Sequence, residues 1–243
     1  MRTSIQNKIA LITGASRGIG RAAALALARE GAHIVAAART QSDLDALAQE
    51  IRALGREALA VACDVSVEAD VEALHRRAID RFGRVDILVN NAGVGKYGPL
   101  ESISAAEYDW MMNTNMRATF LCTRAFLPEM LARQSGDIVF VGSVAGLKGI
   151  SNEAVYCATK HAQHGFAAAL DEECRVRNVK VSYLAPGGTH TYFGFGTGRT
   201  QGDPKLAEYL DPEDVADAVV FAVTQPPKAR AFLIAMRPMR EAL

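Results

Sequence analysis

The chain has no surplus of charge of either sign, with 27 lysine and arginine residues against 27 aspartates and glutamates. Binding nucleic acid by bulk phosphate neutralisation needs a basic excess, so no nucleic-acid partner is expected, although a local basic pocket stays open. Cysteine is scarce and poorly spaced for metal or disulfide chemistry. Cys63, Cys122, Cys157 and Cys174 include no C-x-x-C pair and lie near no His-x₃₋₅-His arrangement. That argues against a zinc site and a disulfide framework, and no metal is expected. Free thiols suit a reducing compartment. Long hydrophobic runs are missing as well. The longest stretch without Asp, Glu, Lys or Arg is Val181–Gly198, and it holds Pro186 and five glycines, so no membrane span is expected. Met1–Lys8 is polar and lacks the apolar core of a signal peptide. The expectation is a cytoplasmic protein. No G-x-x-x-x-G-K-S/T occurs, which argues against a P-loop nucleotidase.

What is present points to one α/β domain over 1–243. The 243 residues are 49% apolar and 22% charged, ordinary for a globular chain. Short runs of Val, Ile, Leu and Ala alternate with segments of helical period. Strands are expected at Ile9–Thr13, His33–Ala37, Ala58–Ala62, Ile87–Asn90, Asp137–Val141, Lys180–Leu184 and Phe232–Ala235. Helices are expected at Gly18–Glu30, Ser42–Leu54, Glu68–Phe82, Ala105–Arg133, Glu153–Arg177 and Pro212–Thr224. The strand runs are continuously apolar, as parallel strands buried on both faces require. Ser104-Ala-Ala-Glu107 reads as a capping box. Gly31, Gly55 and Gly83 follow the first three helices, where a left-handed residue is wanted. The alternation predicts right-handed crossovers and a doubly wound parallel sheet of about seven strands with helices on both faces. Ala185–Asp211 is a long irregular segment, and loops of that length are usually functional or mobile.

The first strand runs straight into Thr13-Gly14-Ala15-Ser16-Arg17-Gly18-Ile19-Gly20 and then a helix. Glycines at 14, 18 and 20 permit a tight turn, backbone approach to a pyrophosphate, and close packing of helix on sheet. The helix N-terminus adds unpaired N–H groups and partial positive charge. An NAD binder places an acid at the end of the second strand for the ribose 2′-hydroxyl. This chain has Arg39 there, with Arg17 as a second cation, and guanidinium groups suit a 2′-phosphate. NADP(H) is expected over NAD(H). Asp43 and Asp45 fall in the next helix and are expected to point elsewhere.

Tyr156 and Lys160 stand at i and i+4 near the start of a helix, on one face. A phenol has a pKa of about 10 and is a poor base or acid at neutral pH, and a nearby ammonium lowers that value. Ser143 ends the fifth strand, at the sheet edge where ligands bind in such folds.

Together these blocks resemble the compact form of the short-chain dehydrogenase/reductase family. The resemblance covers nearly the whole chain. It rests on the glycine turn, Asp64-Val65, Asn90-Asn-Ala-Gly93, Asn115, Ser143, Tyr156-x-x-x-Lys160, and Pro186-Gly187 with Thr191. It implies a Rossmann fold and hydride exchange between a nicotinamide and a carbonyl or secondary alcohol. The chain is similar to 3-oxoacyl-thioester reductase-like members, which implies an acyl thioester as one candidate substrate beside small ketones, sugars and polyols. By the resemblance, Tyr156 is the general acid/base. Lys160 lowers its pKa and bonds the nicotinamide ribose, and Ser143 holds the substrate oxygen. Asn115 supports a water linking Lys160 to solvent, with Asn113 as a competing alignment. Gly14, Ser16, Arg17, Gly18, Ile19 and Gly20 form the phosphate turn. Asp64 and the Val65 backbone bind adenine. Asn91, Ala92 and Gly93 border the adenosine ribose. Pro186, Gly187, Thr189 and Thr191 meet the nicotinamide. A homodimer or homotetramer built on the helices around 105–133 and 153–177 is the family's habit.

His161 and His164 follow Lys160 and read as packing residues, as does Cys157. Met111, Met112 and Met116 read as core. The aromatics and glycines of Tyr192–Gly202 suggest a lid, within about 187–211, over a substrate with an apolar portion, and Arg199 could meet an anion. The competing reading is a non-catalytic NADP(H)-sensing regulator, which has no need of Tyr156, Lys160 and Ser143 in register. An isomerase or dehydratase is disfavoured by the glycine spacing.

Overall fold

A computed structural model describes residues 3–241. Met1, Arg2, Ala242 and Leu243, over which the expected domain and the polar N-terminal stretch also extend, lie outside the described residues. Seven strands form one sheet: β1 (Ile9–Thr13), β2 (His33–Ala38), β3 (Ala58–Ala62), β4 (Ile87–Asn90), β5 (Gly136–Val141), β6 (Val179–Pro186) and β7 (Leu233–Met236). Their order is β3-β2-β1-β4-β5-β6-β7 and every pairing is parallel. The helices are α1 (Gly18–Arg29), α2 (Gln41–Ala53), α3 (Glu68–Phe82), α4 (Ala105–Met111), α5 (Ala118–Arg133), α6 (Ala154–Cys174) and α7 (Pro212–Val223). The chain leaves β1 to build outward through β2 and β3, then returns to place β4 on the other side of β1. That reversal opens a crevice at the carboxyl ends of β1 and β4, the usual ligand site of such sheets.

Alternate residues of a strand face opposite sides. In β1, Ala10 and Ile12 enter one core with α1, α2 and α7, while Ile9 and Leu11 enter the other with α3, α5 and α6. Both faces are therefore dry, which is why the strand sequences are apolar throughout. Each fully buried Leu or Ile there contributes roughly 1.5–3 kcal/mol. The small side chains of α1 (Ala22, Ala23, Ala26) let it lie close against sheet and α7.

The expected capping box at Ser104 forms both of its bonds, Glu107 N to Ser104 Oγ at 3.2 Å and Ser104 N to Glu107 Oε2 at 2.9 Å. Gly31, Gly55 and Gly83 take positive φ after their helices. The long helix expected over Ala105–Arg133 is interrupted. Met112–Arg117 is a π-helical turn between α4 and α5, an irregularity set by tertiary bonds to Asn115 described below. The helix expected to reach Arg177 stops at Cys174 and tightens into a 3₁₀ turn, which Asn178 ends with φ 55°. The strand expected at Phe232–Ala235 sits one residue later, where Leu233 to Met236 pair with Tyr183 to Pro186. Within the irregular segment, Thr189 bridges Leu210 and Pro204–Glu208 forms a 3₁₀ turn.

Thr13 fastens the two strands that bound the crevice. Its hydroxyl donates to Val89 O at 3.3 Å and accepts from Asn91 N at 2.9 Å and Ala92 N at 3.0 Å. Thr13→Val keeps the shape but strands two amide donors. The unfolding free energy should fall by about 2–4 kcal/mol, read as a lower urea midpoint at unchanged slope.

Candidate active site

The crevice has a volume of about 520 Å³ and runs along the carboxyl edge from β2 to β6. Its floor near β1 is the glycine turn. Gly14 has φ +65°, and a Cβ there would press on Ala92 at 2.9 Å. Gly20 does not line the crevice; a Cβ on it would collide with the Gly14 carbonyl and Asn91 Nδ2. Its place is close packing. Arg17 precedes α1 without capping it through its side chain, so first-turn N–H groups face the crevice unpaired by a side chain. Ser16, Arg17, Gly18 and Ile19 line this part. The Asn91 amide donates to Thr13 O at 2.8 Å, bracing the turn from below.

Beyond β2 the wall holds Arg39, Thr40 and Asp43. Asp43 was expected to point elsewhere. α2 begins at Gln41, so Asp43 falls in its first turn, at the crevice rim. Asp64 stands opposite with its Oδ1 accepting from Ser66 Oγ at 2.6 Å and Ser66 N at 3.0 Å. Those hydrogen bonds, with Arg39 adding a smaller pull, hold its carboxyl below the usual value. It is an ionised acceptor. Val65, Ala92 and Gly93 complete this wall. Cys63 also lines it, with its thiol pushed up to about 12 by burial and by Asp70 and Asp64.

The other end is built from β5 and α6. Ser143 follows β5 in extended backbone, and its Oγ accepts from Ala145 N at 3.1 Å. The Ser143 side chain acts on the Tyr156 hydroxyl. Tyr156 is enclosed by Tyr97 (rings 5.7 Å apart, edge-on) and Phe193 (5.8 Å). Burial and the neighbouring Tyr97 push its phenol well above the ordinary value, and the Ser143 side chain is what pulls it down. Lys160 Nζ lies 5.7 Å from the Tyr156 ring centre. It donates to Gln163 Oε1 at 2.9 Å and Val141 O at 3.3 Å, and burial lowers its pKa to about 8. The resemblance makes Lys160 depress the phenol; in the structure, burial is the largest influence on it and acts the other way.

Asn115 is fully buried behind the wall, whereas Asn113 is exposed. Its side chain accepts from Val94 N at 2.8 Å and donates to Val94 O and Thr159 Oγ1, each at 2.9 Å. It thus latches the loop after β4 onto the π turn. Pro186, Gly187, Thr189 and Thr191 line the wall below β6, and Thr189 Oγ1 donates to Gly187 O at 3.1 Å.

Among the other lining residues, Tyr97 and Glu241 carried no sequence signal, whereas Phe193, Arg199 and Tyr209 fall within the segment expected to form a lid. Tyr97, Phe193 and Tyr209 make an aromatic rim. Arg199 lies over the rings of Tyr97 (5.8 Å) and Tyr209 (5.3 Å), donates to Thr189 O at 3.2 Å, and acts on Glu153. Glu241, near the chain's end, accepts from Gly188 N at 2.8 Å. His164 packs on Tyr183 (4.8 Å) and Phe232 (6.1 Å), and His161 bonds Cys157 O. All four cysteines are free and buried. Met111 is fully buried, and Met112 and Met116 are half-buried. Among the described residues no cluster of His, Cys, Asp or Glu could hold a metal, and no helix is long and apolar enough to cross a membrane.

Residues 8–199 match the model of the short chain dehydrogenase family. The chain is 37% identical over 237 residues to a sepiapterin reductase of Chlorobaculum tepidum, covering 95% of this chain and 96% of that one. It is 37% identical over 233 residues to a 3-oxoacyl-[acyl-carrier-protein] reductase of Synechocystis, covering 93% of each. An alcohol dehydrogenase structure from the archaeon Thermococcus sibiricus, complexed with 5-hydroxy-NADP, superposes with TM-score 0.91 at 33% identity, over 98% of this chain and 99% of that one. The chain belongs to the short chain dehydrogenase family, and is an oxidoreductase that moves hydride between a nicotinamide cofactor and a carbonyl or alcohol carbon.

Proposed function

We propose that the crevice takes NADPH along its length and that Tyr156 donates the proton in the reduction of a small carbonyl compound. The observation that carries this reading is the convergence of Tyr156, Ser143 and Lys160 at one end of a crevice whose other end is the glycine turn. The residues fit the cofactor. Unpaired N–H groups of α1 and the bare Gly14 backbone suit a pyrophosphate. Ionised Asp64 suits an adenine amino group. Arg17 and Arg39 outnumber Asp43 at the rim and suit a 2′-phosphate. The bound cofactor supplies the hydride.

Ser143 accepts or donates at the substrate oxygen. Tyr156, protonated because it is buried, gives its phenol proton to that oxygen as negative charge builds there. Lys160 stabilises the phenolate left behind and offers an N–H to the ribose. The loop after β4, held by Asn115, keeps this end rigid.

The aromatic rim favours a substrate with a flat or apolar portion. Arg199 is already compensated by two tyrosine rings, a carbonyl and Glu153, so it is poorly placed to capture an anion. Arg175 and Arg177, the basic surface an acyl carrier would need, are engaged with Glu172 and Leu131 O. A free carbonyl compound is thus preferred over a carrier-bound thioester. Segment 187–211 acts as a lid: Phe193 rests on Tyr156, and Gly194, Gly196 and Gly198 have positive φ. A substrate complex with this segment remote from the substrate would refute the lid. The exposed Phe120 on α5, with Tyr108 and Trp110 on α4, supports a homodimer or homotetramer through that face. Four buried free thiols support a cytoplasmic setting.

Tyr156→Phe should cut reductive turnover by about 10²–10⁴-fold while NADPH still quenches protein fluorescence; retained turnover sinks the acid/base role. Arg39→Ala should weaken NADPH by about ten- to a hundredfold and leave NADH nearly unchanged, measured by fluorescence titration; equal losses sink the 2′-phosphate assignment. The Lys160 ammonium is present below its pKa and lost above it. Reductive turnover should therefore decline as pH rises through about 8, read from the pH profile of kcat.

A further inference from the structure

Tyr156, Lys160 and Gln163 lie at i, i+4 and i+7 along one stripe of α6, and all three are buried. The first two have roles in the chemistry above. Gln163 has none, yet it is 1% exposed, and an amide taken out of water must satisfy both its ends. Its Oε1 accepts from Lys160 Nζ at 2.9 Å. Its Nε2 donates to Asn115 O at 2.9 Å and to Thr119 Oγ1 at 2.6 Å. Thr119 Oγ1 in turn donates to Asn115 O at 2.7 Å. The side chain therefore bridges Lys160 and the π turn, the span that the family resemblance assigns to a water molecule.

We propose that Gln163 is a positioning residue for Lys160: its amide oxygen anchors the ammonium at the blind end of the crevice, and its amide nitrogen ties that anchor to Asn115 and Thr119. The proposal rests on the reading of Tyr156 and Lys160 as the acid/base pair.

An ammonium has three N–H groups. Gln163 and the Val141 carbonyl take two, which leaves the third for the crevice side, where the Tyr156 ring lies. Other groups around Lys160 offer no substitute. Tyr183 approaches from β6, but its hydroxyl donates to the Lys160 carbonyl at 3.2 Å, away from Nζ. Gly93, after β4, brings only backbone close to Nζ. Glu153, at the N-cap of α6, acts on Tyr156. Among the described residues no carboxylate pairs with Lys160, and Gln163 supplies the side-chain acceptor for Nζ. The substitution of amide for water also changes what the link can carry. A water accepts and donates at one oxygen and so passes a proton on; an amide accepts at oxygen and donates at nitrogen, and would have to become an imidic acid to do the same. The bridge itself orients Lys160 without conducting a proton.

The test needs neither substrate nor cofactor. In the full-length protein with ¹³Cε-labelled lysines, the Lys160 resonance is assigned by its loss in Lys160→Met and titrated with pH. Gln163→Leu removes the acceptor and should lower the Lys160 midpoint by about one unit. Gln163→Glu keeps the shape, adds a negative charge, and should raise it by a similar amount. A side chain that merely fills space would alter the melting temperature and leave both midpoints in place. A wild-type midpoint in Gln163→Glu, or shifts of the same sign in both variants, overturns the proposal. Should Gln163→Leu fail to fold, Gln163→Glu decides alone. Turnover surviving Tyr156→Phe would instead overturn the acid/base reading while these shifts persist.

Discussion

The site is organised around a cation that the fold takes out of water without giving it a counter-ion. Lys160 is 3% exposed and is held by a backbone carbonyl and an amide oxygen instead of a carboxylate. Desolvation lowers its pKa to about 8. Its affinity for a proton is thus weaker folded than unfolded, so its penalty on stability is fully present below pH 8 and fades as pH rises toward the ordinary value of 10.5. A carboxylate partner would remove much of that penalty, but it would also neutralise the field that the Tyr156 phenol needs in its proposed role as proton donor. The two dry cores and the latch of Asn115 hold an arrangement that the site alone would not favour.

Phenol and ammonium are affected by the same burial in opposite senses: each is pushed toward its neutral form. A neutral phenol can donate a proton, and the pull toward phenolate comes from Ser143, the residue proposed to meet the substrate oxygen. In the proposed reaction Ser143 thereby links proton donation to the position where charge appears, and Lys160 acts once the phenolate forms.

Much of the fold was legible in the residues because parallel strands buried on both faces leave the sequence little freedom. β1, β3 and β4 lie where their apolar runs placed them. The tight glycine turn after β1 was equally visible, since a Cβ at Gly14 or Gly20 has no room. The π turn at Met112–Arg117 was not visible, because its cause is a bond between residues 115 and 94 that local pattern cannot report. Asp43 was misplaced because one residue more or less at the start of α2 decides which way a first-turn side chain faces. Tyr97, Glu241 and Gln163 escaped notice for a common reason: they reach the site through tertiary folding, from positions with no motif to mark them.

The sulfur in the crevice wall carries a consequence of its own. Cys63 lies in the crevice wall next to Asp64 with its thiol raised to about 12 by burial and two aspartates, so at physiological pH almost none of it is thiolate, the form that reacts with peroxide, disulfides and alkylating agents. An electrophilic inhibitor aimed at this pocket would find a sulfur atom within reach and no nucleophile there to capture it.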